Sequence, residues 1–233
     1  MTLAENLQTI AENLQTIAEN EQKVFEAGEK SEYDRFWDAY VKDRTYLTYA
    51  FAGYGWTSET FKPKYDIRPK GNGGMNLFNS SRIAVDLVEH LNKCGVVLDL
   101  SKTDNVMYAF QDTRFTRIGE INLSSVTVNS AANGMCTSSK TLVTIDKIVL
   151  PPNRLNFTSA FDGCTSLQNV TFEGTIRYNL SVSACPLTHD SLMSIINALG
   201  DGLSYTLTIG ATNLAKLSEE EQDIVIQKGW TLA

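Results

Sequence analysis

AFDGCTSLQNV, residues 160–170, places Phe161, Cys164, Leu167 and Val170 three residues apart. An α-helix returns to one face every 3.6 residues and a strand alternates every two, so a step of three fits a turn-rich segment with one inward side. The end of this pattern recurs along the chain. Phe115, Ile118 and Ile121 form one copy, Leu142, Ile145 and Ile148 a second, Leu167 and Val170 a third, Leu192 and Ile195 a fourth. Phe115 to Leu142 is 27 residues, and the next two steps are 25 each. A fixed period in the twenties predicts stacked units that each contribute one short strand. Residues 96–100, 121–123 and 148–150 alternate like strands in a second register.

Written as a pattern, Ala-Phe-x-x-Cys-x-x-Leu-x-x-Val resembles the BspA-type leucine-rich repeats. The resemblance covers residues 96–200 and is specific at 160–170. The copy at 135–145 carries inserted residues between Cys136 and Leu142. It implies an α+β fold: a leucine-rich-repeat-like solenoid with short strands, preceded by an N-terminal coiled-coil helix and closed by a helical C-terminal cap. The corresponding segments are an N-terminal helix at 1–30, an aromatic-rich shoulder at 31–95, repeats at 96–183 and a cap at 184–233. The short coil and the ending are also similar to repeat proteins encoded by phages and prophages of gut Firmicutes.

The coil is read from AENLQTI, which occurs twice in succession at 4–10 and 11–17. Leu3, Leu7, Ile10, Leu14, Ile17 and Val24 alternate steps of four and three up to Ile17, the seam of a heptad. Leu at a with Ile at d favours three or four strands over two, so these six residues are expected to gather a trimer or tetramer. Glu21 breaks the seam, and Gly28 with Ser31 ends it. Ser31 then caps a helix carrying the aromatic stripe Tyr33, Phe36, Trp37 and Tyr40.

Further along, residues 82–93 predict a helix. KGNGG at 70–74 predicts an exposed turn, because no strand precedes it and no Gly-Lys-Ser/Thr closes a phosphate loop. Thr188 predicts the cap of a helix at 189–199. Ser218 with Glu221 predicts a capping box.

A net charge of −7 argues against a dedicated nucleic-acid binder and against anionic membrane surfaces. No apolar run reaches the roughly 20 residues of a membrane-spanning helix, and no signal peptide opens the chain. A soluble cytoplasmic product is expected, reaching a virion or cell surface by assembly. Four cysteines without a paired spacing predict buried thiols rather than zinc ligands or disulfides. His90 and Cys94 share a helix face, but one further histidine, His189, is too few for a metal site. No nucleophile, metalloprotease, dinucleotide or P-loop motif occurs, so neither catalytic residues nor a cofactor is expected.

The expected function is a non-enzymatic, oligomeric attachment protein, a tail-fibre-like or adhesin component whose partner is a host-surface glycan or protein. The alternative is a structural virion or scaffold subunit with no ligand. No ligand-binding residue is assigned; the surface positions best placed for contact are Tyr108, Arg114, Arg117, Arg154 and Tyr178.

Overall fold

The computed structural model describes residues 31–233, together with residues 15, 16 and 19. The six seam residues Leu3, Leu7, Ile10, Leu14, Ile17 and Val24 lie outside the described residues. The chain divides into two units, Met1–Ala39 and Tyr40–Ala233.

In the first unit, helix α1 (Glu32–Phe36) starts where Ser31 Oγ accepts the Asp34 N–H at 3.0 Å. Trp37 packs edge-to-face with Tyr33 and Phe36, with centroids 6.0 and 5.7 Å away. The stripe does not stay on one face. A π-helical turn at Trp37–Val41 widens the repeat, so Trp37 is buried while Tyr40 is 63% exposed.

The second unit contains helix α2 (Leu87–Cys94) and strands β1 (Arg117–Asn122), β2 (Thr144–Val149), β3 (Asn169–Glu173) and β4 (Leu180–Ser181). Helix α3 (His189–Ala198), strand β5 (Thr206–Thr208), helices α4 (Ala211–Leu214) and α5 (Glu219–Gln227), and strand β6 (Thr231–Leu232) follow. The strands form two parallel sheets of three, ordered β1-β2-β3 and β4-β5-β6.

This architecture corrects the expected leucine-rich-repeat-like solenoid: the molecule is mixed α/β, with two separate small sheets. Upstream of β1 the described chain makes only isolated bridges, such as Ile67 with Leu98 and Gly71 with Thr103. The fourth copy, Leu192 and Ile195, lies on α3 rather than on a strand. Nor is 184–233 a purely helical cap, because β5 and β6 lie in it, β5 pairing in parallel with β4 and β6 with β5. The physical reason is that spacing measures register between neighbours. Parallel strands need a crossover of a dozen or more residues, and any such pair repeats at that interval.

Within the first sheet the spacing is register. Ile118 pairs with Ile145 and Ile145 with Val170; Ile121 pairs with Ile148 and Ile148 with Phe172. All six are buried. β2 takes a step of three from one inward position to the next where β3 takes a step of two, so the register shifts between Ile145 and Ile148, the mark of a bulge. On another side, turns stack through backbone bonds. Phe51 N–H donates to Leu77 O, Phe78 to Ala109, Phe110 to Met135 and Cys136 to Ala160, all at 2.8–2.9 Å.

The β3 edge is closed by side chains. Ser191 Oγ and Ser194 Oγ on α3 accept the Val170 and Phe172 N–H groups, each at 2.9 Å. Ser191 and Val170 are buried, so no water replaces a lost hydroxyl. Ser191→Ala is expected to cost about 1–3 kcal/mol, the price of an unmet buried donor. Urea denaturation measures it; a midpoint equal to the parent's would show that the edge is not held this way.

Local signals explain the helices. Asp86 Oδ1 accepts the Glu89 N–H at 3.0 Å, which starts α2 at Leu87, later than the apolar pattern suggested. Gly95, at φ 69°, ends it. Thr188 caps α3, and Ser218 with Glu221 forms a reciprocal capping box on α5. Lys228 Nζ donates to Asn197 O and Leu199 O at the C-terminal end of α3, where a cation meets the helix dipole favourably. Cys136, Cys164 and Cys185 are buried free thiols, and burial raises the Cys164 thiol to about 12. Among the described residues no helix is long and apolar enough to cross a membrane.

Residues 70–74 differ from the expected exposed turn. Asn72–Gly74 form a 3-10 turn in which Gly73 and Gly74 are buried.

Candidate binding surface

The second sheet builds an aromatic ladder by register alone. Leu180 pairs with Leu207, and Thr206 with Thr231. Carried back along the strands, the same offsets set Tyr178 beside Tyr205 and Tyr205 beside Trp230. The ring centroids are 5.5 Å apart in both steps. Asn179 Oδ1 accepts the Thr206 N–H at 2.8 Å, and Tyr205 O accepts the Thr231 N–H at 2.8 Å. These bonds fix the strand starts, and with them the rings.

Trp230 is the buried end of the ladder, its Nε1–H donating to Gly200 O at 2.8 Å. Tyr178 and Tyr205 are half-buried. Arg154, exposed, lies 5.7 Å from the Tyr178 centroid and 5.5 Å from the Tyr205 centroid. Such cation–π contacts are worth about 0.5–1 kcal/mol at exposed positions, enough to orient the guanidinium without removing its donors. The result is an amphipathic patch. Aromatic rings supply rigid apolar area, and Arg154 supplies a planar fork of N–H donors.

Of the surface positions expected from sequence, the fold brings Arg154 and Tyr178 together. Arg117 is committed elsewhere: Nε and Nη2 hold Asp146 Oδ1 and Oδ2, each at 2.7 Å. Arg114 is exposed and outside this cluster. Tyr108 stands at φ 55°, its ring where a Cβ on Gly134 would sit. Tyr205 and Trp230 were missed by sequence reasoning. The signal for them is an aromatic just before each short strand, readable only once the strands are paired.

Other charged clusters satisfy themselves. Lys147 Nζ bridges Glu120 and Glu173 at 3.0 Å each, across all three strands of the first sheet. The Lys147 ammonium, with the Asn122 amide, holds the Glu120 carboxyl below its ordinary range. The His90 ring stacks on Phe61 at 5.6 Å, with Nε2 at 2.5 Å from Phe61 O. His189 Nε2 pairs with Glu221 Oε1 at 2.9 Å. Among the described residues, no group of three or more His, Cys, Asp and Glu side chains is arranged to hold a metal ion.

The chain matches no protein-family model, no curated protein and no solved structure.

Proposed function

We propose that this chain is a non-enzymatic attachment protein, a tail-fibre-like or surface component of a phage or prophage. In this reading the N-terminal heptads gather three or four copies, and residues 40–233 carry the binding face. The observation that supports it is the Tyr178–Tyr205–Trp230 ladder with Arg154 across it: half-buried rings beside an exposed donor fork. The apolar face of a sugar ring stacks on such rings, and its hydroxyls take the guanidinium donors. Several heads on one coil turn weak contacts into avid ones.

A glycan array probed with the full chain tests the reading. The parent is expected to select a saccharide class, and Tyr178→Ala with Arg154→Ala to lose at least tenfold in apparent affinity while keeping the parent's circular dichroism. Light scattering tests assembly: the parent is expected as a trimer or tetramer, and Leu7→Glu with Leu14→Glu as a monomer. A monomeric parent removes the avidity argument, and unchanged binding by the double variant removes the ladder as the contact.

A further inference from the structure

Pairing is interrupted on the outer side of β1. Residues 97–99 run beside Ile67, which donates its N–H to Val97 O at 2.8 Å and accepts the Asp99 N–H at 2.9 Å. Arg117, at the start of β1, bridges to Asp86. Between these two contacts α2 leaves the layer and the chain returns. Among the described residues no bridge joins 96–98 to β1. A pocket of about 170 Å³ occupies the gap, walled by α2, by residues 96–98 and by Gly119 of β1.

The walls are apolar for local reasons. Leu87 and Leu91, at i and i+4, share the inner face of α2 and are buried. Val88 lies over Gly119, where a Cβ would stand 3.0 Å from Val88 Cγ2. Glycine weakens the interior of a strand and often marks a place where something approaches the backbone closely. Here it gives the pocket a floor of bare backbone. The lining is not fully covered: Val88 and Leu98 are half-buried, and Val97 is 45% exposed. Side chains that face an unfilled hollow lack dispersion partners on that side.

The mouth is polar. Asn92 is exposed there and carries an amide that can donate and accept. Glu120 stands opposite, on β1. Its Oε2 meets Lys147 Nζ at 3.0 Å and its Oε1 accepts the Asn122 amide at 2.9 Å, which leaves each oxygen a second lone pair. Lys147 is shared with Glu173, so the three side chains together keep one net negative charge.

Size and chemistry select the occupant. An apolar cavity of about 150 Å³ stays dry and takes up benzene, so this pocket has room for one six-membered ring with a short substituent. A sugar would set its hydroxyls against Leu87 and Leu91 without partners. A carboxylate would give up its water to the same walls and meet net negative charge at the mouth. A single neutral hydroxyl finds acceptors there. We propose that this pocket binds a small neutral phenol, its ring between α2 and Gly119 and its hydroxyl on Asn92 and Glu120. The site shares no residue with the Arg154 ladder, so either can fail alone.

The test is methyl NMR of the full chain titrated with p-cresol, with toluene and p-toluate as the other arms. Toluene lacks the hydroxyl, and p-toluate replaces it with a carboxylate. p-Cresol is expected to shift the methyl signals of Val88, Leu91, Val97 and Leu98 and to leave Leu180 and Leu207 in the second sheet unmoved. It is expected to bind about threefold or more tighter than toluene and about tenfold or more tighter than p-toluate. Val97→Trp, which fills the mouth, is expected to lose about tenfold or more for p-cresol. Asn92→Ala is expected to bring p-cresol down to toluene's affinity and leave toluene unchanged, and Tyr178→Ala to bind as the parent does. Positions 92 and 97 are exposed, and circular dichroism verifies folding. Absent shifts at the pocket methyls overturn the proposal, as does p-toluate binding as tightly as p-cresol, or p-cresol binding unchanged by either pocket variant. Pocket signals that move on dilution without ligand overturn it too, since a second copy of the chain would then fill the site.

Discussion

Phe78→Ala is expected to destabilise the protein by about 3–5 kcal/mol, the range for removing a buried aromatic ring. Phe78 is fully buried and joins two groups of rings. It stacks on Phe51 at 5.2 Å and on Phe110 at 5.8 Å, and packs edge-to-face with Phe61 and Phe115 at 5.8 and 5.2 Å. Its own backbone is fixed, N–H donating to Ala109 O, so the chain cannot fold inward to fill the gap. Residues 40–80 carry few regular elements, and this aromatic column is what orders them. Urea denaturation followed by tryptophan fluorescence reads the loss. A change below about 1 kcal/mol would mean that the neighbouring rings collapse into the space, contrary to a close-packed core.

Gly73→Ala is the second large effect, expected at or above the upper end of the about 1–3 kcal/mol that overpacking costs. A Cβ there would stand 2.3 Å from Thr45 O and 3.0 Å from Leu47 N, both backbone atoms. Neither can rotate aside; the 45–47 segment must move. Thr45 O also accepts the Lys70 N–H at 2.7 Å, so that bond is strained when the segment moves. Gly53→Ala is the comparison. Gly53 has φ 84° but open space around its would-be Cβ, so it isolates backbone strain, about 1–2 kcal/mol for a left-handed residue. If both variants lose the same stability, the close approach at Gly73 is not what excludes a side chain.

Sequence reasoning reached the features that are local. Ser31, Thr188 and the Ser218–Glu221 box announce their helices because a cap is a contact within three residues. The inward positions Ile118, Ile145 and Val170 were legible because each strand shows its own buried side. What failed was continuity. A 25-residue spacing says that two strands can lie side by side, and cannot say where one sheet stops and the next begins. Gly73 and Gly74 read as a surface turn because nothing in five residues reveals a carbonyl approaching from 45. The site fared likewise. Arg154 and Tyr178 were named singly, and their partners Tyr205 and Trp230 enter only through pairing.

The hydroxyls of Ser191 and Ser194 have a consequence for crowded solutions. A backbone ladder propagates, since each strand that accepts a bond presents a fresh row of donors to the next. A serine oxygen accepts and presents no such row. With Val170 and Phe172 N–H groups spent on α3, and Gln168 O taken by the Thr188 N–H, β3 is not a template on which a second molecule's strand can crystallise. The three-stranded sheet is therefore of finite size on that side, and fibril growth by strand addition is shut off there by two atoms.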